Sequence, residues 1–310
     1  MKLFDLHCDT PLRYYLGGGS LRSGELHITK DKLKDVTEYR QLAAFCVPER
    51  MSDEDGFACF FRTADAFRRG AEEIGFTVGA TGDPLTANFT LTVEDARILG
   101  GDAGRLDALL RAGVGLVTPL WGGSTCIGGA HDTDEGLTPF GKDVVTALAS
   151  RGVPVDVSHA SRKSTAQIAA ILSSYGMPVT ATHSNAYSVF PHTRNLTDGE
   201  LDIIRESGGI VGVSLYPRHL AADAESVTSE DVVRHIMYYL EKLGEDKVAL
   251  GCDFDGIGIA PRDIGDVSKL GVLRGALLSR GVREETVDGV FFGNARSYFE
   301  KIRKMRGCEK

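Results

Sequence analysis

The chain has 310 residues, 42% hydrophobic and 25% charged. These are ordinary values for a protein with a large buried core, and they exclude disordered, collagen-like and small disulfide-stapled classes. The 35 Lys+Arg against 43 Asp+Glu give a formal net charge of −8, and no Lys/Arg-rich run occurs, which argues against nucleic-acid or anionic-membrane partners.

Eight short apolar runs recur along the chain: 3–9 (LFDLHCD), 41–47 (QLAAFCV), 88–94 (NFTLTVE), 114–118 (VGLVT), 153–159 (VPVDVSH), 178–183 (PVTATH), 209–215 (GIVGVSL) and 248–253 (VALGCD). Each but the last is followed by a helical pattern, with apolar residues three and four apart over 53–76, 105–112, 140–150, 163–175, 198–206 and 229–243. Helix punctuation agrees: Gly152 and Gly176 follow two of these segments, and Thr228 precedes another with Asp231 three residues on. Strands alternating with helices in this number predict a (β/α)8 TIM barrel, read as one domain over 1–310. The alternative, an open doubly wound sheet, would usually carry a glycine-rich phosphate loop after an early strand, and none is present. The segment 121–138 (WGGSTCIGGAHDTDEGLT) is polar, glycine-rich and too long for a simple turn, so it reads as a functional loop.

Six cysteines are too few for a disulfide framework and none forms a CxxC pair. Cys8 and Cys252 fall in apolar runs and read as buried free thiols. The start, MKLFDLHCDT, holds a carboxylate at Asp5 where a signal peptide would be apolar, and EKIRKMRGCEK at the end reads as a charged helix terminus. No stretch is long enough for a transmembrane helix, and the expected location is cytoplasmic.

The chemistry lies in the residues that close the runs. Residues two apart on a strand face the same side, so His7 and Asp9 can converge. Other runs close on Glu94, His159, His183 and Asp253. In a barrel these strand ends share one rim. Singly, each has an ordinary reading as a satisfied core or surface residue. Together, three imidazoles and three carboxylates suit Zn²⁺ or another borderline divalent metal, and the set is large enough for two ions. His27, His192, His219 and His235 lie away from the strand ends and read as solvated or helix-surface residues. His131 sits in the long loop expected to overhang the site.

FDLHCDTP, GVPVDVSHAS, THSNAYSVFPHTRN and GCDFDG, in this order, resemble the membrane (renal) dipeptidase family (peptidase family M19), a branch of the amidohydrolase-type barrels. The resemblance runs from residue 3 to about residue 300. It implies hydrolysis of a small dipeptide by a two-zinc centre, often tolerating a D-residue on the carboxyl side, and it admits a homodimer. Carried over residue by residue, His7 and Asp9 would hold one zinc and His159 and His183 the other. Glu94 would bridge them, Asp253 would stand beside the bridging water, and Arg194 would take the substrate's terminal carboxylate.

The chain departs from the family pattern in two places. After Glu94 the family commonly has two glycines, where this chain has Asp95 and Ala96. A family histidine that helps bind the substrate falls at Trp121, whose indole N–H only donates and cannot carry charge. Trp121 then reads as an apolar wall of the substrate pocket. Two other readings stay open: a hydrolase of another small amide, such as an N-acyl amino acid or a lactam, on the same centre, or a catalytically silent metal-binding protein.

Overall fold

The computed structural model describes residues 1–307; the last three residues of the segment read as a charged helix terminus lie outside the described residues. Seven strands form one all-parallel sheet: β1 (Lys2–Cys8), β2 (Glu38–Cys46), β3 (Phe89–Glu94), β4 (Val114–Thr118), β5 (Thr180–Ala181), β6 (Ile210–Val213) and β7 (Val248–Leu250). Their spatial order is β4-β3-β2-β1-β7-β6-β5. Every residue of β3 and β4 is buried, as expected of strands covered on both faces.

The sheet curls until its two edges approach, and single parallel bridges Val117–Val155 and Asp156–Thr180 span the gap. The segment 153–158 therefore takes the eighth place in the barrel, but it is not the continuous strand expected over 153–159. Pro154 has no N–H to give. The Asp156 carboxylate accepts the N–H groups of Ser158 (2.9 Å) and Thr182 (2.8 Å), and His159 turns to φ +69°. Side-chain acceptors thus replace part of the ladder, and the expected strand at 178–183 shrinks to two residues.

The helices are α1 (Thr10–Gly17), α2 (Asp53–Glu73), α3 (Gly104–Arg111), α4 (Pro139–Ser150), α5 (Arg162–Ser174), α6 (Asp198–Ser207), α7 (Ser229–Leu243), α8 (Leu270–Ser279), α9 (Glu284–Asp288) and α10 (Asn294–Met305). Those from α2 to α7 match the sequence periodicity to within a few residues. Contrary to expectation, the last run is followed by helices, α8 to α10. Gly271 and Gly275 weaken the helical signal of α8. Gly152 and Gly176 adopt φ +66° and +63° just beyond α4 and α5, and the Thr228 N–H donates to Asp231 Oδ2 at 2.9 Å, so these terminal signals act as read. Phe299 of α10 stacks on Phe4 of β1 with centroids 5.4 Å apart, which fixes the last helix against the barrel. No helix among the described residues is long and apolar enough to cross a membrane.

Candidate metal centre and active site

The ends of β1, β2, β3, β5 and β7 open on one rim, and the rim is where the ligand-type side chains meet. His7 and Asp9 lie side by side at the end of β1, with His7 Nε2 3.5 Å from Asp9 Oδ2. Glu94, the last residue of β3, presents its two oxygens to different neighbours. Oε2 lies 3.6 Å from His7 Nε2, while Oε1 lies 3.0 Å from His159 Nε2 and 3.3 Å from His183 Nε2. The Nε2 atoms of His159 and His183 face each other at 2.9 Å.

Partners behind the imidazoles set these orientations. His159 Nδ1 donates to the Trp121 carbonyl at 2.9 Å. His183 Nδ1 meets Thr182 Oγ1 at 2.8 Å, and that hydroxyl donates onward to Asp156 Oδ2. Both hydrogen bonds place the proton on Nδ1 and leave an Nε2 lone pair facing the centre. Two buried atoms there have no hydrogen-bond partner: His7 Nε2 and Asp9 Oδ1. Ligand atoms of His7, Glu94 and His183 lie within 4.8 Å of one another, as do those of His7, Asp9 and Asp253. The donor set and its unpartnered atoms fit divalent metal ions.

The backbone is strained at the same rim. Asp95, His159, Asp253 and Asp255 are the four non-glycine residues with positive φ among the described residues, between +63° and +73°. At Asp95 the departure from a glycine is absorbed locally: its carboxylate accepts the Arg97 backbone N–H at 3.1 Å and Arg97 Nε–H at 3.0 Å. Asp255 accepts from Thr10 Oγ1 and from the His27 N–H, both at 2.6 Å, and donates its own N–H to His27 Nδ1 at 2.9 Å. These bonds hold the loop that carries Asp253. Gly256 completes the packing, because a Cβ there would lie 2.0 Å from Asp9 Oδ2 and 2.6 Å from Asp253 Oδ1.

Burial governs the charges. It brings His159 down to about 4, with Arg194 adding to the effect, and His183 to about 3, with His7 adding. Both are therefore neutral, the state in which an imidazole binds metal. His7 goes the other way: burial opposes its charge, but Glu94 and Asp9 outweigh burial and raise it well above the ordinary range. Burial would raise Glu94, yet the His7 charge and the closeness of the three imidazoles to its oxygens hold it well below. Asp9 and Asp253 are pushed up by burial and by neighbouring carboxylates. Three crowded carboxylates hold excess negative charge that protons relieve in the bare chain and divalent cations would relieve instead.

Beside this centre lies a cavity of about 550 Å³, lined by Asp9, Glu94, Trp121, His159, Arg194 and Asp253 among others. The Arg194 side chain is 5% exposed, donates from Nη2 to the His183 carbonyl at 3.3 Å and leaves Nε without a partner. The surrounding loop is tightly tied: the Leu196 N–H donates to the Asn185 carbonyl at 2.8 Å, and Asn195 Nδ2 donates to the carbonyls of Phe190 and His219, each at 2.8 Å. This is the physical content of the HSNAYS…HTRN motif.

All the predicted site residues thus meet at one place. The other histidines require correction. His235 is fully buried and accepts the Ala186 N–H at 3.0 Å. His27 is tied to Asp255. His192 accepts the Arg194 N–H at 3.1 Å and packs on His219 with centroids 4.5 Å apart, and His219 lines the cavity. Expected to be solvated or helix-surface residues, His27, His192 and His219 are instead partly buried and held by specific partners, and His235, although on helix α7, is buried. Distance from a strand end says nothing about where a loop folds back, as for His27, His192 and His219, or about which face of α7 is buried, as for His235. His131 bonds Thr193 Oγ1 at 2.9 Å and packs edge-on against His159. Cys46, Tyr216 and Asp255 also line the cavity, and the sequence reading does not single them out; Cys46 stands one residue before the end of its apolar run, although it is the last residue of β2. Asp5, used only to argue against a signal peptide, is wholly buried, accepts the Cys252 N–H at 2.8 Å, and is raised by burial to about 6.

A curled parallel sheet whose rim gathers three imidazoles and three carboxylates beside a cavity defines a metal-dependent hydrolase of the barrel type. The family model for membrane dipeptidase (peptidase family M19) matches residues 1–308, and the chain belongs to that family. A metallo peptidase from Rhodobacter sphaeroides, solved with a phosphinate mimic of the dipeptide L-Ala-D-Ala, is 26% identical. The match covers 97% of this chain and 99% of that one, with a TM-score of 0.89. A Klebsiella pneumoniae protein described as an uncharacterized protein in the pqqA 5' region is 37% identical over 213 residues, 65% of this chain and 77% of that protein. Dipeptidase tcpJ of Claviceps purpurea (strain 20.1) is 34% identical over 176 residues, 57% of this chain but only 41% of the fungal protein.

Proposed function

We propose that the chain is a zinc dipeptidase that holds two ions and cleaves a dipeptide, including one with a D-residue on the carboxyl side. The observation that carries this reading is the meeting of two kinds of unpartnered group: Asp9 Oδ1, with His7 Nε2 beside it at the centre, and Arg194 Nε, Asp9 and Arg194 both lining one cavity. The first pair asks for cations and the second for an anion a short distance away, which is the pattern of a free carboxylate beyond a scissile amide.

His7 and Asp9 would hold one ion, His159 and His183 the other, with Glu94 giving one oxygen to each. When bound, the ions supply Lewis acidity and bring the pKa of a shared water toward neutrality. Arg194 pairs with the terminal carboxylate of the substrate and sets the distance from that end to the amide. Asp253 accepts the proton of the attacking water on its carboxylate and delivers it to the departing amine nitrogen. Trp121 stacks near His159, with ring centroids 6.1 Å apart and planes 23° apart, and its indole gives the substrate an apolar wall where the family places a donor. Its carbonyl keeps His159 oriented whatever its side chain does. The dipeptide mimic bound by the Rhodobacter relative supports the substrate class, and the free thiols of Cys8, Cys59 and Cys252 suit a reducing, cytoplasmic setting.

The apolar Trp121 wall also favours a second substrate class, N-acyl amino acids, which likewise offer a carboxylate to Arg194. A panel of L,L and L,D dipeptides and N-acyl amino acids, assayed by free-amine release from zinc-loaded protein, separates the two. Dipeptide turnover that a chelator abolishes is the expected result; turnover of N-acyl substrates alone would overturn the dipeptidase reading.

A further inference from the structure

Cys46 faces the metal centre, yet the chemistry above leaves it idle. It closes β2, and in the parallel register its Cα pairs with that of Glu94. Its Sγ, an oxygen of Asp9 and an oxygen of Glu94 lie within 4.8 Å of one another. The thiol is free, only partly buried, and lines the cavity. Beside it, Asp9 is 7% exposed and its Oδ1 has no hydrogen-bond partner. A buried, unsatisfied carboxylate oxygen next to a thiol and a second carboxylate is an incomplete coordination shell. Cys8 and Cys252 are different: both are fully buried and neither lines the cavity.

We infer that Cys46 is itself a metal ligand, its sulfur joining Asp9 and Glu94 around the ion on the β1 side of the centre. This rests on the reading of Asp9 and Glu94 as ligands. The sulfur coordinates as thiolate, so its proton leaves to solvent when the ion enters. A thiolate is a soft donor that prefers zinc and cadmium to magnesium, calcium or manganese, the ions that carboxylates alone would suit. The centre is then asymmetric, with sulfur joining His7 and Asp9 on one side and two imidazoles, His159 and His183, without sulfur on the other. Cys46 thereby biases the choice of metal.

Cadmium is the probe. The stripped full chain is loaded with Cd²⁺, bound metal is counted, and the ultraviolet thiolate-to-cadmium charge-transfer absorption is recorded for wild type, Cys46→Ser, Cys46→Ala and Cys126→Ser. Cys126 is a control, since its Sγ bonds the Arg97 carbonyl and it does not line the cavity. The expected result is a band from one thiolate per chain that both Cys46 variants lose and Cys126→Ser keeps. With zinc, X-ray absorption should show a sulfur neighbour at about 2.3 Å in wild type, and only nitrogen and oxygen at about 2.0–2.2 Å in Cys46→Ser. Two bound cadmium ions without the band, or a band that survives both substitutions, would overturn the role of Cys46 and leave the metal centre standing. A chain that binds no cadmium would overturn both.

Discussion

Gly256→Ala isolates the metal geometry from the fold. Gly256 is exposed and its φ is not in the left-handed region, so alanine suits its backbone. The new methyl, however, would stand 2.0 Å from Asp9 Oδ2 and 2.6 Å from Asp253 Oδ1. To reach an ordinary contact of 3.4 Å, the Asp9 oxygen must retreat by about 1.4 Å, several times the ~0.2 Å tolerance of a metal–ligand distance. The carboxylate can make that move only by rotating away from the centre. Unfolding stability should change by no more than about 1 kcal/mol, as for a surface substitution. Affinity for the more weakly held ion should fall at least 10- to 100-fold, the range seen when a ligand's support is removed. Competition with a chelator, followed by counting metal per chain, measures the affinity, and thermal unfolding measures the stability. Wild-type affinity for two ions in Gly256→Ala would refute the placement of Asp9 as a ligand.

Three further outcomes follow from the same geometry. Arg194→Met removes a charge-assisted hydrogen-bond pair of about 1.5–3 kcal/mol, so kcat/KM for a dipeptide should fall roughly 10- to 100-fold while the dipeptide amide is little affected; equal losses on both substrates would contradict carboxylate recognition. Asp253→Asn should keep its metal and lose about 10²- to 10⁴-fold in kcat, and normal rates would remove Asp253 from the proton path. His235 is held by burial at about 4, below its ordinary 6.5, so the unfolded chain takes up its proton first. The contribution of neutral His235 is whole above pH 6.5 and is lost as pH falls toward 4, by about 3 kcal/mol at most. His235→Asn, which keeps an acceptor for the Ala186 N–H, should show a correspondingly shallower loss of unfolding free energy over that window, and an unchanged slope would refute the assignment.

Much of this architecture is legible in the residues, for physical reasons. Strands buried on both faces must be apolar throughout, so the runs that became β1 to β4 stand out. The exception, 153–159, looks like a strand because Val153, Val155 and Val157 alternate. Its pairing is nonetheless broken by Pro154 and by the Asp156 side chain, which acts through tertiary contacts with Thr182 that spacing does not reveal. The rim residues are legible because a strand end fixes where a side chain points: His7 and Glu94 follow from that, whereas Asp9 and Asp253 lie just past the ends of β1 and β7 and are reached by nearness to those ends. Arg194 was reached only through the motif around it, since it sits on a loop. His219 lies four residues past the run that ends at Leu215, and nothing local turns it toward the cavity. The carbonyl of Trp121, which orients His159, belongs to the backbone and leaves no mark on the sequence.

The proposed role of a two-metal centre at this rim in hydrolysis has a direct test. It is a titration of the metal-stripped chain with zinc, followed at once by bound metal and by amine release from an L,D dipeptide. Turnover should rise with zinc and be complete at two ions per chain. Full turnover by the stripped chain, or none at two bound zinc ions with any dipeptide, would contradict that role.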